Sequence, residues 1–329
     1  MFKRGKTAFG ILASLVVLST ACSDTGSDES DGSSTEEVAS GAELVTTVSA
    51  RPDMVTGGDV LIEVAAESVD SVTVDGEDAE VEFTSAEGIS RGLVEGLPEG
   101  GSTIAVEAGG EEGEVEVTNH PTQGPVFSGE RLPMVTCTSD RYGLATSEPP
   151  ECDAETVVSY SYVDSEGDAQ PLAEGEEPPQ DAETVTIDGE ERPAILRNET
   201  GVINRGVYVI TTLANGSSDA APGSAADWDS EHWNGRLVYR FGGGCGTTYS
   251  QGFAMFGAPS LQLLADGYAF ATNTLNTFQV QCQDIVSAEA AMMTKEHFVE
   301  TYGVPVVTIG EGGSGGAIQQ LLIAQNYPG

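Results

Sequence analysis

An α/β fold with a parallel sheet, preceded by a small all-β module, is the architecture this sequence predicts. Three observations carry that expectation. From about Arg236 onward, apolar strand patterns alternate with helical ones. Between Glu43 and Thr118, short β-branched runs recur, separated by Gly, Asp and Pro. A glycine cluster, Gly312-Gly313-Ser314-Gly315-Gly316, then stands between the last strand pattern and the helical pattern after it.

The first residues belong to targeting rather than to the fold. Lys3, Arg4 and Lys6 precede a short apolar run, Ile11 to Leu18, and Ser19-Thr20-Ala21-Cys22 gives a small-residue cleavage site. Residues 1–22 therefore read as a secretory signal, too short to span a membrane as a mature helix. Cys22, directly after the cut, reads as the lipid-bearing cysteine of a bacterial lipoprotein, although Leu18 sits one position upstream of the usual pattern. Ordinary cleavage after Ala21, releasing a free chain, is the alternative. Residues 23–42 are Ser, Gly, Asp, Glu and Thr with almost nothing apolar, which reads as a disordered acidic tether.

Residues 43–118 follow as a β-sandwich of immunoglobulin-like type. Its runs are Leu44–Val48, Val60–Val64, Ser71–Val74, Ser102–Val106 and Glu114–Val117. With no Cys and no His, it is expected to be a spacer or accessory binding module. Residues 119–329 form the α/β part. A turn-rich connector from His120 to Glu130 leads to strands at Thr156–Val163 and Ala194–Leu213, the latter a hairpin turning at Asn198-Glu199-Thr200-Gly201. Then come a strand at Arg236–Phe241, a helix at Ser260–Asp266, a strand at Tyr268–Thr272 and a helix at Ala288–Tyr302. A buried strand at Pro305–Ile309 and a helix from Ala317 to Gln325 complete the alternation.

Cysteine and charge bound the compartment and the partners. Besides Cys22 there are Cys137, Cys152, Cys245 and Cys282, an even count that reads as two disulfides outside the cell. Sequence proximity favours Cys137–Cys152 and Cys245–Cys282 among three possible pairings. A zinc site is the weaker reading, because no C-x-x-C pair is present. The formal net charge of -40 excludes nucleic acid and anionic lipid surfaces as partners. No EF-hand-type loop occurs, so the acidity is read as solubility.

The chemistry concentrates at Ser314. Val306 to Ile309 followed by Gly312-Gly313-Ser314-Gly315-Gly316 is a G-x-S-x-G elbow between a strand and a helix, as in α/β-hydrolases. There a serine nucleophile stands on a tight turn, and the helix start aims N–H groups at developing negative charge. Gly315 would supply one oxyanion donor. The Gly243 and Gly244 loop, after the Leu237–Phe241 strand, would supply the second. Gly310 to Gly315 also satisfies G-x-G-x-x-G, so a dinucleotide-binding protein is a minor alternative. That fingerprint normally marks the first strand of its domain, and here strands precede it. His232 and His297 both precede Ser314, whereas the α/β-hydrolase base follows its serine; they read as surface or packing residues, and Met292 and Met293 as core.

Several segments together resemble the bacterial tannase-like domain family of unassigned function. They are His120-Pro121 with Gly124–Gly129, Trp233–Tyr239, Phe241–Gly246 and Gly312–Gln320, and the similarity runs from about Leu44 to Gly329. The resemblance implies an α/β-hydrolase sheet and ester hydrolysis with Ser314 as nucleophile. True tannases and feruloyl esterases carry a Cys directly before the serine, where this chain has Gly313. Gallate and ferulate esters are therefore not implied. The expected function is an exported serine hydrolase, lipid-anchored or secreted, acting on small or polymeric carboxylic esters without a cofactor. The alternative is a non-catalytic surface-binding lipoprotein on a hydrolase scaffold. An Asp or Glu and a His following the serine complete such a site. They are expected downstream of this C-terminally truncated sheet, so the 329-residue chain is expected to be inactive.

Overall fold

The computed structural model describes residues 43–127, 133–173, 176–214, 228–254 and 258–327. The expected signal peptide, Cys22 and the tether lie outside the described residues. The architecture is mixed α/β, with sheet dominating.

Residues 43–120 form two facing sheets. The first contains β1 (Val45–Thr47), β3 (Val60–Val64), β7 (Ile89–Val94) and β6 (Phe83–Ala86), in that spatial order. The second contains β2 (Val55–Thr56), β9 (Glu111–His120), β8 (Gly100–Ala108), β4 (Ser71–Val74) and β5 (Glu77–Asp78). Alternation decides which side chains fill the space between them. Val60, Ile62 and Val64 point inward, Leu61 and Glu63 do not, and Ile104 and Val106 answer from the other sheet. Pro52–Met54 is a single 3₁₀ turn. The last strand runs past the expected boundary at residue 118, because Asn119 and His120 pair in parallel with Val55 and Thr56.

A third, larger sheet, formed by the residues that follow, has seven strands. After β10 (Val157–Val163) and β11 (Ala169–Leu172) come a separate two-stranded ribbon, β12 (Thr184–Ile187) and β13 (Glu190–Pro193), and a long hairpin, β14 (Ile195–Ile203) and β15 (Gly206–Leu213). Next follow β16 (Arg236–Gly242), α1 (Leu261–Ala265), β17 (Ala269–Thr277), α2 (Asp284–Tyr302), β18 (Val307–Glu311) and α3 (Gly315–Asn326). The spatial order is β11-β10-β14-β15-β17-β16-β18. Strand β16 is parallel to both of its neighbours, β17 and β18, while β10, β14, β15 and β17 pair antiparallel in succession. The parallel sheet expected from the alternation is thus confined to its last three strands.

Two local expectations are corrected. The hairpin turns at Asn204-Arg205, not at Asn198–Gly201. Ile203 faces Gly206 across a two-residue loop whose members have φ 56° and 66°, the left-handed pair that matches strand twist. Asn198 to Gly201 stay in the strand despite their turn-like composition. The final strand is not buried either. Among the described residues β18 pairs with β16 alone, and Val306, Val307 and Ile309 are exposed.

Alternation along β16 splits the core into two layers. Leu237, Tyr239 and Phe241 pack with Met293, Phe298 and Tyr302 of α2, whereas Val238 faces Leu264 of α1 on the other side. Helix α2 starts earlier than its apolar pattern suggests, since the Gln283 side chain accepts the Val286 N–H at 3.1 Å. The helix is buried on several sides, which is why no amphipathic stripe marks it. One side meets the β-sandwich: Glu296 accepts the Thr56 N–H at 2.8 Å and pairs with the Thr56 hydroxyl.

Candidate active site

Ser314 stands between β18 and α3 with φ 57° and ψ −121°. A non-glycine residue adopts this conformation only at a cost of roughly 1–3 kcal/mol, sustained by its surroundings. The serine is the N-cap of α3, yet its side chain makes no capping hydrogen bond, and the residue is exposed. Its hydroxyl is therefore not consumed by the helix. Gly315 is the first helical residue, where an N–H has no intrahelical acceptor.

The turn is tight because backbone packs on backbone. A Cβ on Gly316 would lie 2.2 Å from the Phe241 carbonyl oxygen, and one on Gly315 would lie 2.3 Å from that of Gly244. Only glycine fits at these two positions. Gly313, the residue directly before the serine, faces open space. The loop following β16 thus lies directly against the elbow, with the Cβ position of Gly243 3.6 Å from Ser314 Cβ.

That loop is held from its other side. The Gly243 carbonyl accepts Gln279 N–H at 2.9 Å, Gly246 N–H donates to Phe278 at 2.7 Å, and Cys282 N–H donates to Gly246 at 2.8 Å. A disulfide joins Cys245 to Cys282 with Cα atoms 4.8 Å apart. A second disulfide joins Cys137 to Cys152. The structure thus brings Ser314, Gly315, Gly243 and Gly244 together at the adjacent C-terminal ends of β16 and β18.

The histidines lie elsewhere. His120 Nε2 is 3.1 Å from the Asp53 carbonyl, and His232 Nε2 is 2.7 Å from the Ala265 carbonyl. His297 is not a plain surface or packing residue. Its Nε2 lies 2.6 Å from Glu199 Oε1 and 3.1 Å from the Tyr208 hydroxyl. Glu199 also accepts from Tyr208 at 2.9 Å and Tyr302 at 2.6 Å, with Arg197 at 3.6 Å. Burial works to raise the Glu199 pKa, but the bonds from His297, Tyr302 and Tyr208 outweigh it and hold the carboxyl at about 2. Sequence reading missed this cluster. Its one local trace is Arg197 and Glu199, two charges on the same face of a strand whose ends, Ile195-Leu196 and Val202-Ile203, are apolar.

The cluster borders a cavity of about 220 Å³ between the β-sandwich and α2, lined by Thr56, Asp59, Tyr208, Glu296, His297 and Glu300 among others. Burial raises the carboxyl pKa values of both Glu296 and Glu300, with Asp59 and the mutual repulsion of the pair adding to the effect. Among the described residues, no group of three or more His, Cys, Asp and Glu is arranged to hold a metal ion.

No curated protein matches the chain. A family model does match, over residues 45–329, which takes in both the β-sandwich and the sheet bearing Ser314. The chain belongs to the tannase-like family of unknown function DUF6351.

Proposed function

We propose that this protein is an exported serine hydrolase of the α/β-hydrolase type, acting on carboxylic esters. The observation that carries the reading is Ser314 itself: a serine in a strained left-handed conformation, hydroxyl uncapped, on a strand-to-helix turn walled by the Gly243–Gly244 backbone. The strand order supports it. An antiparallel hairpin followed by parallel strands, with the serine after the third parallel strand in sequence, is the sheet such enzymes use. The two disulfides agree with an oxidising compartment. Anchoring through a lipid on Cys22 is part of the same reading.

In this mechanism the Ser314 hydroxyl oxygen bonds to the ester carbonyl carbon and its proton passes to a base. The carbonyl electron pair moves onto oxygen, where the N–H groups of Gly315 and of the Gly243–Gly244 loop receive it. Collapse expels the alcohol, which takes up a proton, and water then cleaves the acyl-serine. Crowding around Gly315 and Gly316 weighs against the dinucleotide alternative, since the Gly242–Gly244 loop fills the space over the helix start where a pyrophosphate would sit.

The test is acylation by p-nitrophenyl acetate, read by peptide mass spectrometry. Acetyl groups are expected on Ser314 ahead of the chain's other hydroxyls. Labelling spread evenly over serines and threonines would refute the reading and favour a non-catalytic binding protein.

A further inference from the structure

Four buried side chains form a one-way chain of hydrogen bonds that ends at the oxyanion loop. Gln319, on α3, lies with its Nε2 2.8 Å from the Gly242 carbonyl oxygen. A carbonyl can only accept, so the side-chain NH₂ must face Gly242 and the amide oxygen must face the other way. That oxygen accepts from Ser287 Oγ at 2.6 Å. Ser287 in turn accepts Asn276 Nδ2 at 3.0 Å, and Asn276 Oδ1 accepts the Tyr239 hydroxyl at 2.7 Å. Each polarity is forced by the next, from β16 through β17 and α2 to α3. Asn276, Ser287 and Gln319 are wholly buried and Tyr239 nearly so.

The end of this chain matters because of what shares its peptide. The Gly242 carbonyl and the Gly243 N–H belong to one planar trans unit and point to opposite sides. Gln319 and the Phe278 N–H, at 3.2 Å, both grip the carbonyl. The N–H is thereby turned away from them, in a residue whose Cβ position is 3.6 Å from Ser314 Cβ. A glycine pair has little intrinsic preference against the flipped peptide, so an outside hold is needed.

We propose that Gln319 is a positioning residue that locks the Gly242–Gly243 peptide so that the Gly243 N–H serves as an oxyanion donor. The proposal rests on the reading of Ser314 as a nucleophile. Gln319 touches no reacting atom, and Ser287 fixes its orientation.

The experiment uses the 329-residue chain with glycine-selective labelling. The residual dipolar coupling of the Gly243 N–H reports the direction of that bond. In Gln319→Met this coupling changes while the couplings of α3 keep their native values, and acetylation of Ser314 slows by about 10²-fold, the effect of losing one oxyanion donor. Ser287→Ala moves both in the same direction by less, and it decides the matter if Gln319→Met does not fold. An unchanged Gly243 coupling in a folded variant overturns the proposal, and so does a changed coupling with undiminished acetylation. If the native chain shows no preference for Ser314, the hydrolase reading fails, and with it the oxyanion role. The Gly243 coupling then still tells whether Gln319 orients the peptide.

Discussion

Glu296 of α2 accepts the backbone N–H of Thr56 in the β-sandwich at 2.8 Å, in a setting where both residues are buried. A helix of the sheet-bearing part is thereby bonded to the strand that pairs with Asn119 and His120. The neighbours of this contact are acidic. Glu300, one turn on, has a buried oxygen without a hydrogen-bond partner among the described residues, and Asp59 faces the same cavity.

Alkaline conditions are expected to weaken this junction. Because the folded-state pKa values of Glu296 and Glu300 are raised, the folded protein holds protons that the unfolded chain has already released. Stability from this cluster is complete below the ordinary carboxylate range and declines as pH rises through and beyond it. Glu296→Gln keeps an acceptor for Thr56 and removes a charge. Its thermal midpoint should exceed the native value near pH 8 and approach it near pH 5; parallel midpoint curves would contradict the assignment.

Glu199 should behave in the opposite sense. Its carboxyl is held at about 2, so its contribution is present above the unfolded pKa and disappears as pH falls through the acid range towards 2. Glu199→Gln should lose much of the native protein's stability at pH 7, since Arg197 loses its counter-charge and the bonds from His297, Tyr208 and Tyr302 lose an ionised acceptor. The gap between the two should narrow on acidification, as denaturant midpoints at pH 7 and pH 3 would record.

Turnover of short p-nitrophenyl esters by the 329-residue chain should not exceed that of Ser314→Ala. The Nε2 atoms of His120, His232 and His297 lie against Asp53, Ala265 and Glu199 respectively. An oxyanion hole without triad partners still retains about 10³–10⁴-fold catalysis over water in well-studied enzymes. That suffices for slow acetylation of Ser314 but not for visible turnover. Brisk hydrolysis that vanishes in Ser314→Ala would reveal a base within these residues.

Gly316→Ala is expected to destabilise the fold by about 1–3 kcal/mol, the usual effect of overpacking. Its Cβ would meet a main-chain oxygen at 2.2 Å, and main chain cannot rotate aside. Gly313→Ala, directly before the serine and with nothing within 4 Å of its Cβ position, is the matched control and should be close to neutral in urea unfolding.

Removing the Cys245–Cys282 bridge by paired Ser substitutions should cost up to about 4 kcal/mol, from the entropy of a loop with a sequence separation of 37. The acetylation rate of Ser314 should fall as well, because the bridge holds the Gly243–Gly244 loop to the segment after β17. An unaltered rate would mean that the backbone bonds to Phe278 and Gln279 hold the loop alone.

What could be read in advance follows the range of the interactions. Val60–Val64 and Ser71–Val74 have the bounds their alternation suggests, and the Ser314 turn lies between strand and helix, because both signals are local. Phe83–Ala86 and Ile89–Val94 escaped notice, as Ser, Glu and Gly dilute their pattern. The Asn204-Arg205 turn was hidden by a more turn-like tetrapeptide, Asn198–Gly201, that begins six residues earlier. Glu199, Tyr208, His297 and Tyr302 come from three elements up to 103 residues apart, and no spacing rule joins them. The one-way chain to Gly242 was invisible for the same reason.

Arg197 and Glu199 also do something for β14 that apolar residues could not. Both point to the α2 side of the sheet, two residues apart, where Tyr302 and His297 receive them. Slipping the strand by one residue against β10 and β15 would turn both charges to the opposite face, towards Leu264 and Phe270 of the other core layer. Leucines in their place could pack about as well, because buried ion pairs add little net stability. They would, however, tolerate the slipped alignment. The pair therefore works as a key cut for one alignment of the central hairpin, and through β15 and β17 that alignment sets the level at which β16 delivers its glycines to Ser314.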